Sequence, residues 1–348
     1  MKEHYDLLIL NNCPAFYKIN LYNEIAKQKK IFVVFIGFYD QVIIDEEFKK
    51  NIKFPFQMLN EVFLGERNKI SSFFKLQKII RSITYTKVIY GGYIDLEFIL
   101  TSFIIPKKKN VLQTESASET KLKGIRFHVK KVLLSRFSAA IASGTIHKTM
   151  LRKMNFSKEI IISYGVGILN KSAKISKNQS SDSQLKFLYV GRLIELKNLI
   201  RLIEVFNKLG YPLTIVGKGS LENEVKASAK SNIEFLGFIE NNDLPNIYKD
   251  HHVFILPSIS EAWGLVVEEA LYHGCVLCLS DRVGASPDLL ENFQTGTTFD
   301  PWSTQEMEEA IKKIIIDYKK FKENVDQFDL EKKDQTQVDA YTKELFEN

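Results

Sequence analysis

The sequence predicts an α/β protein built from two doubly wound domains, and three observations lead there. Short apolar runs of strand length alternate with stretches of helical periodicity along the chain. A polar segment rich in Ser, Lys and Asn, 171–183, interrupts the alternation near the middle. At 348 residues, 45% of them apolar, the chain exceeds what one core usually fills and carries enough apolar side chains for two.

Residues 1–170 are expected to form the first domain. Tyr5–Leu10, Ile31–Ile36, Lys87–Tyr90, Asn110–Gln113, Ala139–Ala142 and Glu159–Ile162 read as its strands, because short apolar runs suit strands of a sheet covered by helices. With 171–183 as linker, residues 184–325 form the expected second domain. There Leu185–Val190 is an apolar run ending at Gly191, so Arg192 falls at a strand's carboxyl end. Leu199, Leu202, Ile203 and Phe206 then recur at helical spacing, which puts Lys197 at or near a helix start, close to Arg192. Val253–Leu256 reads as a further strand, Ser258 to Glu261 as the turn after it, and Gly264 as the opening of a helix over Leu265–His273. Ser303-Thr-Gln-Glu306 is a capping box ahead of Met307, Ala310, Ile311 and Ile314. Val338, Tyr341 and Leu345 mark a short last helix within 326–348.

Two strand-to-helix turns thus collect the polar chemistry. Arg192 and Lys197 flank one, where open parallel sheets bind ligands and a helix amino terminus adds partial positive charge for an anion. A phosphate site follows. At the other, the backbone N–H groups of Gly264, Leu265 and Val266 are free to donate, and glycine lets a ligand approach the main chain closely. Glu261 precedes that helix and Glu269 lies roughly two turns on, so the carboxylates would meet different parts of one elongated ligand and accept from sugar or ribose hydroxyls. Each motif alone also fits ordinary side chains, with Arg192 and Lys197 as surface cations, Glu261 as a cap, and Glu268 and Glu269 on a solvated face. Their joint occurrence in one domain favours a single site for a nucleotide diphosphate and a sugar.

The stretch from Phe187 to Pro301 resembles the carboxyl-terminal domain of family 4 glycosyltransferases, which have the GT-B fold and retain anomeric configuration. The matches are Val190-Gly-Arg-Leu193 with Lys197-Asn198, Ile215-Val-Gly217, Phe235-Leu-Gly237, Leu256-Pro-Ser258 and the Glu-x7-Glu from Glu261 to Glu269; Ser280–Leu289 and Gly296–Pro301 resemble segments that follow. The resemblance implies two Rossmann-like domains facing across a cleft, with the last helix packing back on the first. It implies that Arg192 and Lys197 hold the diphosphate of a nucleotide sugar, Glu269 its ribose hydroxyls and Glu261 the donor sugar. The Gly264, Leu265 and Val266 backbone would meet the sugar and distal phosphate, with Gly217 and Trp263 completing the donor site. The family usually has Phe in place of Trp263 and often Asn in place of Glu268.

The implied activity is hexosyl transfer to a glycan or lipid-linked acceptor in surface polysaccharide assembly, such as capsule, O-antigen or exopolysaccharide. Arg192, Lys197 and Glu261 are the candidate catalytic residues, since donors aimed at the leaving diphosphate favour the transition state. No Asp-x-Asp stands at a strand end, so neither a metal nor another cofactor is expected. In the front-face mechanism proposed for retaining members, the leaving phosphate takes the acceptor's proton, which suits a chain without a clear catalytic His. A GT-B nucleotide-sugar epimerase and a noncatalytic nucleotide-sugar or glycan-binding protein remain alternatives.

The acceptor half carries fewer signals. Asn11–Lys18 follows the first strand and resembles the opening of a bacterial subgroup that often shows Pro-Tyr-Arg, with Lys18 in place of Arg. Gly91-Gly-Tyr93 and Thr114-Glu-Ser116 follow other strands, and Tyr93 and Glu115 are the leading acceptor candidates, although turn chemistry alone explains such loops as well. Residues 105–153 hold a net charge of +10, leaving −4 for the rest of the chain. Within them 121–136 reads as a basic amphipathic helix, with Lys123, Arg126 and Lys130 on one face. It fits either an anionic membrane surface or a solvated outer face of the core. No nucleic-acid module accompanies it. Cys275 and Cys278 fall on opposite faces of a strand start, so buried free thiols in a reducing compartment are expected. With no signal peptide and no apolar stretch of membrane-spanning length, the expected location is the cytoplasm, with peripheral attachment to the inner leaflet left open.

Overall fold

The computed structural model describes residues 2–38, 50–115, 125–171 and 184–347. The chain divides into two compact units, Met1–Asn170 with Lys332–Asn348, and Lys171–Glu331.

The first unit runs β1 (His4–Asn11), α1 (Phe16–Ala26), β2 (Ile31–Phe35), β3 (Phe56–Met58), α2 (Lys69–Ser82), β4 (Thr84–Tyr90), α3 (Leu96–Ile104), β5 (Asn110–Thr114), α4 (Ile125–Leu134), β6 (Ala139–Ala142), α5 (Thr145–Lys153) and β7 (Glu159–Ile162). Its strands form one parallel sheet in the order β3-β2-β1-β4-β5-β6-β7. Alternate residues of β1 serve the two faces. Leu8 and Leu10 join Leu76, Ile79 and Ile80 of α2, Phe98 of α3, Leu134 of α4 and Leu151 of α5. Leu7 and Ile9 join Ile19, Leu21, Tyr22 and Ile25 of α1. Burial on both faces explains why these strands read as continuous apolar runs. The basic helix expected over 121–136 starts at Ile125 among the described residues; Lys123 lies outside them.

The second unit holds β8 (Phe187–Val190), α6 (Leu199–Leu209), β9 (Leu213–Val216), α7 (Glu222–Ser228), β10 (Ile233–Gly237), α8 (Leu244–Lys249), β11 (Val253–Leu256), α9 (Leu265–Tyr272), β12 (Val276–Ser280), β13 (Gly296–Phe299) and α10 (Thr304–Gln327). The sheet order is β10-β9-β8-β11-β12-β13, all parallel. Only half of the capping box forms at α10. The Ser303 hydroxyl accepts from the Glu306 N–H at 3.1 Å, while the Glu306 carboxylate accepts from Asp300 N–H, not from that of Ser303.

After α10 the chain enters α11 (Leu330–Asp339) and a last π-turn, Ala340–Glu344. Val338, Tyr341 and Leu345 join the α1 side of the first unit's core. Gln337 donates to the Gly167 carbonyl at 3.0 Å, and the Thr342 hydroxyl to the Gln28 side chain at 3.1 Å, which fixes this tail to the first unit. No described helix is long and apolar enough to cross a membrane.

Candidate functional site

In the second unit, β8 and β11 are sheet neighbours whose onward connections lead to opposite edges. Such a switch point leaves a crevice at the strands' carboxyl ends, the usual ligand position in an open parallel sheet. Both sequence motifs emerge there. After β8 the Tyr189 hydroxyl donates to the Arg192 carbonyl at 2.9 Å and sets the turn, leaving the Arg192 side chain exposed. A single 3-10 turn, Glu195–Lys197, follows, and Asn198 takes a left-handed conformation to launch α6. Lys197 therefore precedes the helix and does not lie within it.

After β11 the chain passes Ser258 and Glu261 to Gly264, where φ of +95° opens α9 without a side-chain cap. A β-carbon would be strained in that conformation. Leu265 and Val266 stand half-buried at this helix start, whose first N–H groups carry the helix's partial positive charge. Lys197 Nζ forms an ion pair with Glu261 Oε2, joining the two motifs across the crevice, and both side chains stay partly exposed. Gly217, at the end of β9 with φ of +136°, presses on the same turn, since a β-carbon there would sit 1.9 Å from the Gly191 carbonyl oxygen.

The remaining carboxylates have separate environments. Glu269, on α9, accepts from the Tyr248 hydroxyl of α8 at 3.0 Å. Burial raises its pKa above the ordinary carboxylate value, with the Tyr248 bond opposing and the nearby Glu268 charge adding. Glu268 is no solvated residue, for it is fully buried and accepts from Trp263 Nε1–H at 2.6 Å. Trp263 is itself 2% exposed, so its ring belongs to the core under the crevice. Trp263 and Glu268, the two positions where the sequence was expected to depart from the family it resembles, are thus one hydrogen-bonded pair. Nothing in their spacing announces this, and nothing in the sequence around Tyr248 marks it as the partner of Glu269.

In the first unit the acceptor candidates separate. Tyr93 packs against the α2–α5 side of the core with its hydroxyl 4.0 Å from Met154 Sδ. Glu115, after β5, pairs with Lys18 of α1, whose side chain is 5% exposed against 32% for the carboxylate. Gln113 Nε2 donates to the same Glu115 oxygen at 2.6 Å. The structure does not bring Tyr93 and Glu115 together; it brings Lys18 to Glu115. All three cysteines are free and buried, and burial pushes the thiols of Cys13 and Cys278 up to about 12.

Residues 170–328 match the family described as glycosyl transferases group 1. An uncharacterized 41.2 kDa protein in the cps region of Klebsiella pneumoniae is 25% identical over 252 residues, covering 66% of this chain and 69% of that protein. Among solved structures, lipopolysaccharide outer core galactosyltransferase WaaB in its apo form superposes with a TM-score of 0.72 at 14% identity, over 97% of this chain and 99% of that one. Alr3699/HepE of Anabaena in complex with UDP and glucose gives 0.68 at 18% identity, over 98% and 100%. The fold is GT-B, and the chain is a glycosyltransferase. Its residues 170–328 carry the glycosyl transferases group 1 domain.

Proposed function

We propose that this chain is a retaining, metal-independent hexosyltransferase of family 4 type, moving a sugar from a nucleotide diphosphate sugar to a glycan or lipid-linked acceptor in surface polysaccharide assembly. The observation that carries this reading is the Lys197–Glu261 pair at the β8–β11 switch point, beside exposed Arg192 and the uncapped start of α9. A dianionic leaving group suits two cations and a helix amino terminus without a bridging metal. The diphosphate attracts Lys197 away from Glu261, which frees that carboxylate to accept a donor-sugar hydroxyl. Glu269, which accepts from Tyr248, would also accept from the ribose hydroxyls. The bond between C1 and the leaving oxygen breaks, the acceptor oxygen bonds C1 on the same face, and its proton passes to the leaving phosphate.

The UDP and glucose bound to HepE make UDP-hexoses the first donors to try. The cps region of the Klebsiella relative and the likeness to the lipopolysaccharide outer core galactosyltransferase WaaB support the polysaccharide setting. Three free thiols suit the cytoplasm. A lipid-linked acceptor brings with it peripheral contact to an anionic membrane through the helix expected over 121–136, where Lys130 and Lys131 accompany exposed Val129 and Val132. The test is incubation with nucleotide sugars and lipid-linked acceptors in EDTA, with products read by mass spectrometry and anomeric NMR. Transfer with the donor's anomeric configuration kept is the expected result. Loss of transfer in EDTA, or an inverted product, overturns the reading.

A further inference from the structure

The first sheet has its own switch point, between β1 and β4, and a polar cluster stands at the carboxyl ends beside it. Gly92 follows β4 with φ of +138° and open space where a side chain would stand. Gln113 lies within the end of β5 and Glu115 just past it, while the buried Lys18 side chain reaches Glu115 from α1. The donor site of the second unit uses none of these residues. The hydrogen bonding of Glu115 is lopsided. Lys18 Nζ and Gln113 Nε2 both donate to Oε1, the latter at 2.6 Å, whereas Oε2 has no hydrogen bond among the described residues.

Gln113 serves the carboxylate at a cost, because its own amide oxygen is buried with no partner among the described residues. A mere counter-ion for a buried ammonium would share that burial, yet the Glu115 side chain stays 32% exposed. Two donors thus fix one carboxylate oxygen and leave the other available to a ligand, which is how a binding group is preorganised. Aromatic surface adjoins it. Phe16 and Tyr17 open α1 half-buried and edge to face, centroids 5.5 Å apart, and Lys18 Nζ lies 5.7 Å from the Tyr17 centroid. A carboxylate beside an aromatic ring matches a pyranose, whose rim offers hydroxyl donors and whose ring face offers C–H groups to the negative π-cloud.

We infer that Glu115, oriented by Lys18 and Gln113 and flanked by Tyr17, binds a hydroxyl of the acceptor sugar. This deepens the preceding reading, which leaves the acceptor's contacts unassigned, and it rests on that reading for a sugar as acceptor. Glu115 is the contact residue. Lys18 and Gln113 are positioning residues that act through its carboxylate.

The experiment is saturation-transfer NMR of the full chain, with and without saturating UDP, using the methyl glycosides of glucose, galactose and mannose as probes. Calorimetry gives UDP affinity and thermal melts confirm folding. Wild type is expected to show transfer to the pyranose C–H protons of at least one glycoside. Glu115→Gln, which keeps the size of the side chain, and Lys18→Met are each expected to weaken that glycoside at least about tenfold, the cost of a charge-assisted contact, with UDP affinity unchanged. Tyr17→Ala, which touches neither charge, gives a second measure should either variant fail to fold, and is expected to weaken the glycoside about threefold to tenfold. Glycoside binding unchanged in the folded variants, with only their melting temperatures lowered, marks the pair as structural and overturns the inference. So does a wild type that binds UDP and none of the three glycosides. A parallel loss of UDP affinity in Glu115→Gln would put the carboxylate in the donor site and overturn it as well. Wild type that binds a glycoside but no UDP overturns the donor reading instead and leaves the sugar site of the first unit standing.

Discussion

The two units share a strand order through six strands, and each carries a Lys–Glu pair beside the carboxyl ends of its sheet. In the second unit Lys197 and Glu261 follow the two strands that flank the switch point, with side chains 13% and 20% exposed and an uncapped helix start beside them. In the first, Glu115 follows β5, one strand beyond the switch between β1 and β4, and Lys18 is sealed within α1. In the proposed reading the second arrangement would offer its cation to a ligand, while the first uses its cation to hold a carboxylate in place. In both pairs the carboxylate is the more exposed partner, and the difference lies in the surroundings, a switch point with an uncapped helix start against the flank of α1.

The largest effect that would break this contrast is at Lys197. Lys197→Ala is expected to lower transfer about a hundredfold to a thousandfold, with donor hydrolysis falling in parallel, because a leaving-group donor is lost. Steady-state rates on both reactions check it. A smaller effect belongs to the first unit. Glu115→Ala leaves a buried ammonium without its carboxylate and is expected to destabilise the protein by about 1–3 kcal/mol, read by denaturant melts, while UDP affinity stays unchanged. Equal effects of both substitutions on UDP affinity would erase the distinction.

Two further substitutions sharpen the description of the second unit. Trp263→Phe removes the bond to buried Glu268 and is expected to cost about 1–2 kcal/mol, most of it recovered by adding Glu268→Asn, which removes the buried charge left without its donor. A double-mutant cycle on thermal melts measures that coupling. Smallest is Glu269→Gln. The raised pKa of Glu269 means that its contribution to stability is favourable below the ordinary carboxylate value of 4.5 and is lost as pH rises through the raised folded value. At neutral pH the ionised group therefore costs stability. The amide should raise Tm on the order of 2 °C at pH 7, a gain that shrinks toward pH 4, while weakening donor binding about tenfold.

Much of this was legible in the sequence for reasons visible at particular residues. Gly191 and Gly264 punctuate apolar runs, so the strand ends and the polar residues beside them could be placed without a structure. The Rossmann-like sheets followed from runs such as Val253–Leu256, because burial on two faces leaves little room for polar residues. Three contacts escaped. Trp263 and Glu268 are five residues apart and straddle a helix start, a spacing that belongs to no regular period. Tyr248 reaches Glu269 only because α8 packs beside α9. Lys18 and Glu115 are 97 positions apart and meet through sheet order, which local periodicity does not encode.

The central claim is that Arg192, Lys197 and the start of α9 hold a nucleoside diphosphate without metal. Calorimetric titration of UDP in EDTA tests it most directly, on wild type and on Arg192→Ala and Lys197→Ala. Wild type is expected to bind, and each variant to lose at least about tenfold in affinity, the cost of one charge-assisted contact. Binding that is equally tight in all three proteins, or that appears only when a divalent cation is added, would contradict it.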